Sequence, residues 1–285
     1  MNTETLYCIS KKKGELLLLS IPSNQLIKEI EKSEMNYMYD RMIAIQGRFN
    51  NPEGIEVDKY GDALVIYSRT MPWASFNTVK GVTSEDIEHI DSIIEFYRAR
   101  NRKFQFEIVP SLVDQNYLKY LSDQGFYQSG FHSSLYIEPR VFKKDCNDKL
   151  RIEELQEDQF TLYATIHCRG AGLTDEGIPY VAENNKVLYN RPGWKFFIAY
   201  MNEIPAAVGV MHMEDDIASL TFATTLPEYR NQGLQQSLIK RRIEEAGQNK
   251  CRLVVGQCAF LSQSHRNMER VGMKIGYIRA SWTEK

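Results

Sequence analysis

No apolar run in this chain approaches the ~20 residues that a helix needs to cross a bilayer. The stretch Leu16-Leu17-Leu18-Leu19-Ser20-Ile21 is far shorter and has no signal-peptide cleavage pattern behind it, so it reads as a buried strand or a connector. An excess of one charge is missing too. Thirty-five basic residues stand against thirty-seven acidic ones, a formal net charge of -2, which leaves no global field to recruit nucleic acid or an anionic membrane. The five cysteines (Cys8, Cys146, Cys168, Cys251 and Cys258) are odd in number, scattered and without C-x-x-C spacing. That excludes a disulfide framework or a zinc site as the organising device and fits a reducing compartment. What remains is a soluble, cytoplasmic protein with no nucleic-acid or membrane partner and no metal, long enough for two domains with sizeable cores.

The chain does carry alternating helical and strand periodicity. Pro22-Ser23-Asn24 is a helix start, and Leu26, Ile27, Ile30, Met35, Met38, Met42 and Ile45 then recur at helical spacing as a core stripe. Residues 55–67 read as a hairpin turning at Tyr60-Gly61-Asp62, a further strand ends near Val79, and Thr83 or Ser84 caps the next helix. A strand at 103–109, a helix around 117–121 and Gly125-Phe126 follow. Shifting this half by 147 positions lays it on the second: 84–100 falls on 231–247, 103–110 on 250–257, and Gly125-Phe126 on Gly272-Met273. The pattern predicts two copies of one α/β unit, 1–140 and 150–285, joined by a polar stretch.

The second copy holds the motif. A β-prone run, Ala218 to Leu226, ends at Pro227, and Arg230-Asn231-Gln232-Gly233-Leu234-Gln235 opens a segment of helical spacing. The first amides of a helix lack internal partners and carry about half a positive charge, so a glycine that permits close approach and an arginine beside it suit a pyrophosphate. At the same place the first copy has Thr83-Ser84-Glu85-Asp86-Ile87-Glu88, three acids and no glycine. Those carboxylates satisfy their own helix end and repel an anion.

The run Thr224 to Gln235 resembles the acetyl-coenzyme A loop of the GNAT superfamily of N-acetyltransferases, whose pattern is Q/R-x-x-G-x-G/A; Gln235 departs from it at the last position. The resemblance spans roughly 150–281. It implies a mixed α+β sheet class, two tandem GNAT-like domains, each a mostly antiparallel mixed sheet flanked by helices, with a degenerate first copy. It also implies acetyl-coenzyme A as cofactor and a small-molecule or peptide amine as acceptor. By the same resemblance the cofactor meets the backbone of Ala223, Thr224 and Thr225, the loop Arg230, Asn231, Gln232, Gly233, Leu234 and Gln235, and Ser264 and Asn267 on the last helix. Many relatives place a tyrosine acid four residues before a Gly-Phe pair; here Met268 stands there and has no proton to give. A protein that binds acetyl-coenzyme A without turning it over is the competing expectation.

For a general base, His212 and Glu214 share a strand face by alternation and are the weak candidates. His167-Cys168 has the composition of a nucleophile pair, but neighbours on a helix face different ways. Lys240, Arg241, Arg242, Glu244 and Glu245 read as the solvated face of the helix whose buried stripe is Leu234, Leu238, Ile239 and Ile243.

Overall fold

A computed structural model describes residues 21–143 and 148–285; most of the leucine run, Cys8 and Cys146 lie outside them. Helix α1, Asn24–Gln46, starts where Ser23 accepts the Leu26 amide at 3.1 Å. Ile30, Met42 and Ile45 on it are fully buried. The hairpin follows as β1, Ile55–Tyr60, and β2, Ala63–Ser68. Then come β3 (Thr78–Lys80), α2 (Ile90–Arg98), β4 (Gln105–Ile108), α3 (Gln115–Asp123) and β5 (Phe126–Ile137). The second half runs β6 (Leu150–Glu154), α4 (Phe160–Ala171), α5 (Ile178–Lys186), β7 (Trp194–Met201), β8 (Ile204–Glu214) and β9 (Ile217–Thr225). It ends with α6 (Leu234–Gln248), β10 (Leu253–Ala259), α7 (Gln263–Val271) and β11 (Lys274–Glu284). The repeat is visible in the elements. The order α2, β4, α3, β5 recurs as α6, β10, α7, β11, and Gly125 and Gly272, related by the shift, both end a helix at positive φ.

The eleven strands form one sheet in the order β1-β2-β3-β4-β11-β5-β10-β9-β8-β7-β6. The two halves have exchanged their last strands. β11 pairs with β4 of the first half, Ala280 opposite Ile108, while β5 pairs with β10 of the second, Ser133 opposite Cys258. Helix α1 lies across the junction, against β1 and β2 but also β8, β9 and β11. Its Tyr37, Met38, Met42 and Ile45 share one core cluster with Phe160, Tyr163 and Phe196 of the second half. At ~1.5–3 kcal/mol for each large apolar side chain taken from water, that shared core ties the two halves together.

Charges are buried at the same junction. Lys80 on β3 donates to Glu34 of α1 at 2.8 Å and also pairs with Glu107 of β4; Arg279 of β11 lies 2.9 Å from Glu107 and also pairs with Glu34. Burial alone pushes Glu107 up, but Arg279 and Lys80 outweigh it and hold the carboxyl at about 2. Glu31 sits beside them and is raised by burial and by Glu34. Two cations thus face two ionised carboxylates, and the cluster compensates itself.

Candidate functional site

Strands β9 and β10 part company in the middle of the sheet. Their parallel pairing runs from Ile217 opposite Leu253 to Leu220 opposite Gly256 and stops, although β9 continues to Thr225 and β10 to Ala259. Each is held by its outer neighbour: Phe222 to Thr225 stay paired with β8, and Gln257 to Ala259 stay paired with β5. Between Val210 and His212 the register shifts, because Met211 of β8 faces two residues of β9, Leu220 and Thr221, at a bulge. Arg242 of α6 fixes it, donating to the carbonyls of Leu238 (3.0 Å), Val210 (2.9 Å) and Phe222 (3.1 Å). This side chain is buried, not solvated as its place in the charged run suggested, and burial lowers its guanidinium to about 9. Glu245 is buried as well, paired with Lys195 and Arg241. The inner edge of 221–225 consequently faces a cleft of about 330 Å³ instead of a strand.

At the outer end of that cleft stands the start of α6. Gly233 adopts φ 86° and Asn231 φ 63°, which curl the backbone so that successive amides converge, the geometry of an anion nest. No side chain caps the helix. An added Cβ at Gly233 would meet no atom within 4 Å, so the glycine answers to its left-handed conformation and to open space in front of the amides. Arg230 is anchored by donating to the Gly170 carbonyl at 2.9 Å. Gly170 has its own reason: a Cβ there would fall 2.5 Å from the Thr224 hydroxyl, so only glycine lets α4 pack on β9. By contrast, the corresponding turn of the first half is filled by its own acid. Asp86 is buried and accepts the amides of Thr83 and Asp62 at 2.7 and 2.9 Å.

A second cleft of about 430 Å³ gathers Ala223, Thr224, Thr225, Arg230, Asn231, Gly233, Leu234, Gln235, Ser264 and Asn267 on its walls. Gln232 is absent from them and turns back to the Glu228 carbonyl. Arg270, which the sequence reading passed over, adds a second cation opposite Arg230. Gln235, the departure from the pattern, donates to Ser264 at 2.7 Å and accepts from Asn267. Its side chain therefore lies on the seam between α6 and α7. Asn267 in turn accepts from Gln236, Gln263 and Arg270. Residues expected to meet the cofactor are here brought together and tied to one another.

Behind the splay lies a larger cavity of about 780 Å³ between the halves, which shares Thr221, Phe222, Gln257, Cys258 and Ala259 with the inner cleft. One wall is aromatic: Phe76 stacks on Trp73, Trp73 on Phe222 and on His167, and His167 on Phe222. His132 lines it from β5, opposite Ala259 in register. Burial, then Arg279, lowers this imidazole below its ordinary value, so it is uncharged at neutral pH. His167 is lowered to about 3 by burial and then by Arg41. Burial raises the Cys258 thiol to about 11 and Cys168 in the same direction, which removes both as thiolate nucleophiles.

Neither weak base candidate reaches these cavities. His212 is buried against Trp194, ring centroids 4.8 Å apart, on the far stretch of β8, and Glu214 ends that strand at the surface beside Asp215. Met268 is buried and lines the inner cleft, close to Gly256. His132 escaped the sequence reading because its strand belongs to the first half; strand exchange sets it beside β10, on the cavity between the halves.

No family model matches the sequence, and no curated protein matches it. Solved structures do share the fold. A GCN5-related N-acetyltransferase from Kribbella flavida aligns over 90% of this chain and 95% of its own, with TM-score 0.65 and 12% identity. A tandem GNAT protein from the clavulanic acid biosynthesis pathway aligns over 92% and 96%, with TM-score 0.56 and 12% identity. A functionally unknown conserved protein from Staphylococcus epidermidis aligns over 84% and 96%, with TM-score 0.58 and 13% identity. The chain has the tandem GNAT fold, in keeping with the mixed sheet and flanking helices expected from its sequence.

Proposed function

We propose that this protein is an N-acyltransferase that uses acetyl-coenzyme A, bound in the second half, to acylate an amine held between the halves. The observation that carries the reading is the conjunction of an uncapped α6 terminus at Gly233 with a β9 edge freed by the splay. No side chain caps the terminus, β10 leaves the β9 edge beyond Leu220, and the two line one cleft. The fit is good. A pyrophosphate needs converging amides and cations, and the loop 231–235 with Arg230 and Arg270 offers them. An extended arm with amide groups needs a free strand edge, and Ala223, Thr224 and Thr225 offer one. Ser264 and Asn267 flank the same cleft.

When bound, acetyl-coenzyme A supplies an activated acyl group. The protein's own part is orientation and proton handling. The large cavity holds the acceptor against the aromatic wall, and His132, uncharged and on that cavity's wall, takes the proton that the amine must lose. No tyrosine lines the inner cleft; Met268 occupies the place expected for an acid and contributes shape alone. That methionine favours a second reading, in which coenzyme A is bound but not turned over.

Two measurements test the proposal. Coenzyme A at 100 times its Kd stabilises the protein by about 2.7 kcal/mol, and Gly233→Glu, which sets a carboxylate over the α6 amides, removes that gain while the fold persists. A full thermal shift in the variant places the pyrophosphate elsewhere. Release of free thiol in the presence of an amine panel, lost in Arg230→Glu, identifies an enzyme; tight binding without thiol release identifies the second reading.

A further inference from the structure

Three arginines among the described residues are buried: Arg41, Arg242 and Arg279. Their surroundings differ in kind. Arg242 gives its protons to three carbonyls, and Arg279 faces Glu34 and Glu107. Arg41 has neither. It donates to the Asn185 side chain at 2.9 Å, its Nε is buried with no acceptor, and among the described residues it has no carboxylate partner. It lines the 780 Å³ cavity, with its guanidinium 5.9 Å from the Phe76 ring. A buried, uncompensated cation is costly to a fold, and burial already lowers the Arg41 guanidinium from its ordinary value. The remaining charges of the cavity do not offset it, since Lys80 and Arg279 already satisfy Glu34 and Glu107, and Glu53 is paired with Arg48.

We infer that Arg41 is the anion anchor of the acceptor cavity, and that the cavity's substrates are ω-amino carboxylates, with the carboxylate and the amine at opposite ends of an apolar body. The carboxylate pairs with Arg41, whose planar fork matches two oxygens better than a lysine would. The apolar body lies along Phe76 and Trp73, which lead from Arg41 to Phe222 at the splay. The polar end then reaches Thr221 and Gln257, whose Oγ1 and Nε2 are buried there without partners. The amine end of this assignment rests on the acyltransferase reading; the carboxylate end does not.

The test is equilibrium binding to the full chain, by calorimetry, of 6-aminohexanoate, 4-(aminomethyl)benzoate and 3-phenylpropionate against their three carboxamides. The acids are expected to bind at least tenfold more tightly than the amides in the wild type, and equally in Arg41→Gln. Arg41→Gln is also expected to melt no lower than the wild type without ligand, because it removes an unpaired buried charge while keeping a donor for Asn185. A merely structural arginine would lower the melting temperature. Equal affinity for acids and amides, no binding of any acid, or an acid preference that survives in Arg41→Gln overturns the inference. Coenzyme A binding is measured on the same samples. Its presence without acid preference defeats the carboxylate anchor alone, and its absence alongside acid preference defeats the acyltransferase reading alone.

Discussion

The imidazole of His167 lies flat on the ring of Phe222, centroids 3.9 Å apart and planes within 11°. Its Nδ1 is 3.2 Å from the Tyr163 hydroxyl, and it is kept neutral in the fold, lowered to about 3 by burial and by Arg41. An unfolded histidine takes up a proton below pH ~6.5, which the folded one refuses until far lower. Folding stability therefore falls as pH drops through this window, by about 2 kcal/mol at pH 5 from this group. Denaturant unfolding of the wild type and of His167→Asn at pH 7 and pH 5 checks it: the variant is expected to lose less on acidification, and parallel losses would refute the assignment.

Lys80→Met should be severe. It leaves Glu34 and Glu107 buried with Arg279 as their shared cation, and breaking one side of a buried pair costs roughly 3–5 kcal/mol. Chemical denaturation gives the number directly. A loss below about 1 kcal/mol would mean that water reaches the cluster.

Proton transfer separates two side chains of the site. His132→Gln is expected to lower kcat/KM at pH 7 by about 100-fold with coenzyme A affinity unchanged, whereas Met268→Leu stays within about threefold because it changes shape and not protons. Above neutrality kcat/KM should keep rising toward the pKa of the acceptor amine, roughly 8 to 10. The acid limb belongs to His132 and lies below the ordinary imidazole value. A hundredfold loss in Met268→Leu with coenzyme A still bound would reverse these roles.

How much of this was written in the chain can be judged from particular residues. Ser23 as a cap, the α1 methionines as core, the turn at Gly61 and the repeat of helix, strand, helix, strand were legible because each depends on neighbours within a turn or a strand. The Gly233 loop was legible for the same reason. The exchange of β5 and β11 was not. The repeat gives both strands the same pattern, so periodicity cannot say which of them lies beside β4. His132 was hidden by that ambiguity, and Arg41 by the packing of α1 across the junction, which periodicity along α1 does not show. Arg242 misled for a different reason: a charged run on a helix looks solvated unless the bulge whose carbonyls receive it is known.

Fragments follow from the exchange. Residues 148–285 alone lack β5, which leaves β10 and β11 with open edges, and that fragment is expected to aggregate, as is 1–143 alone. Expressed together, the two should assemble into a soluble 1:1 complex that binds coenzyme A. Sedimentation of the pair and of each part checks this. A soluble, monomeric 148–285 that binds coenzyme A by itself would show the halves to be independent.

The position of β11 beside β4 also sets an order of events on the ribosome. The strand that completes the first half of the sheet follows every other described strand in the chain. Until it emerges, β4 keeps an open edge and β5 can pair only with β10, itself made late in the second half, so the N-terminal half cannot finish folding ahead of the rest as sequential domains do. Pairings this distant in sequence also make for slow folding. The nascent chain thus carries sticky edges from the time β4 is made until β11 follows it, and its yield in a cell should depend on chaperones.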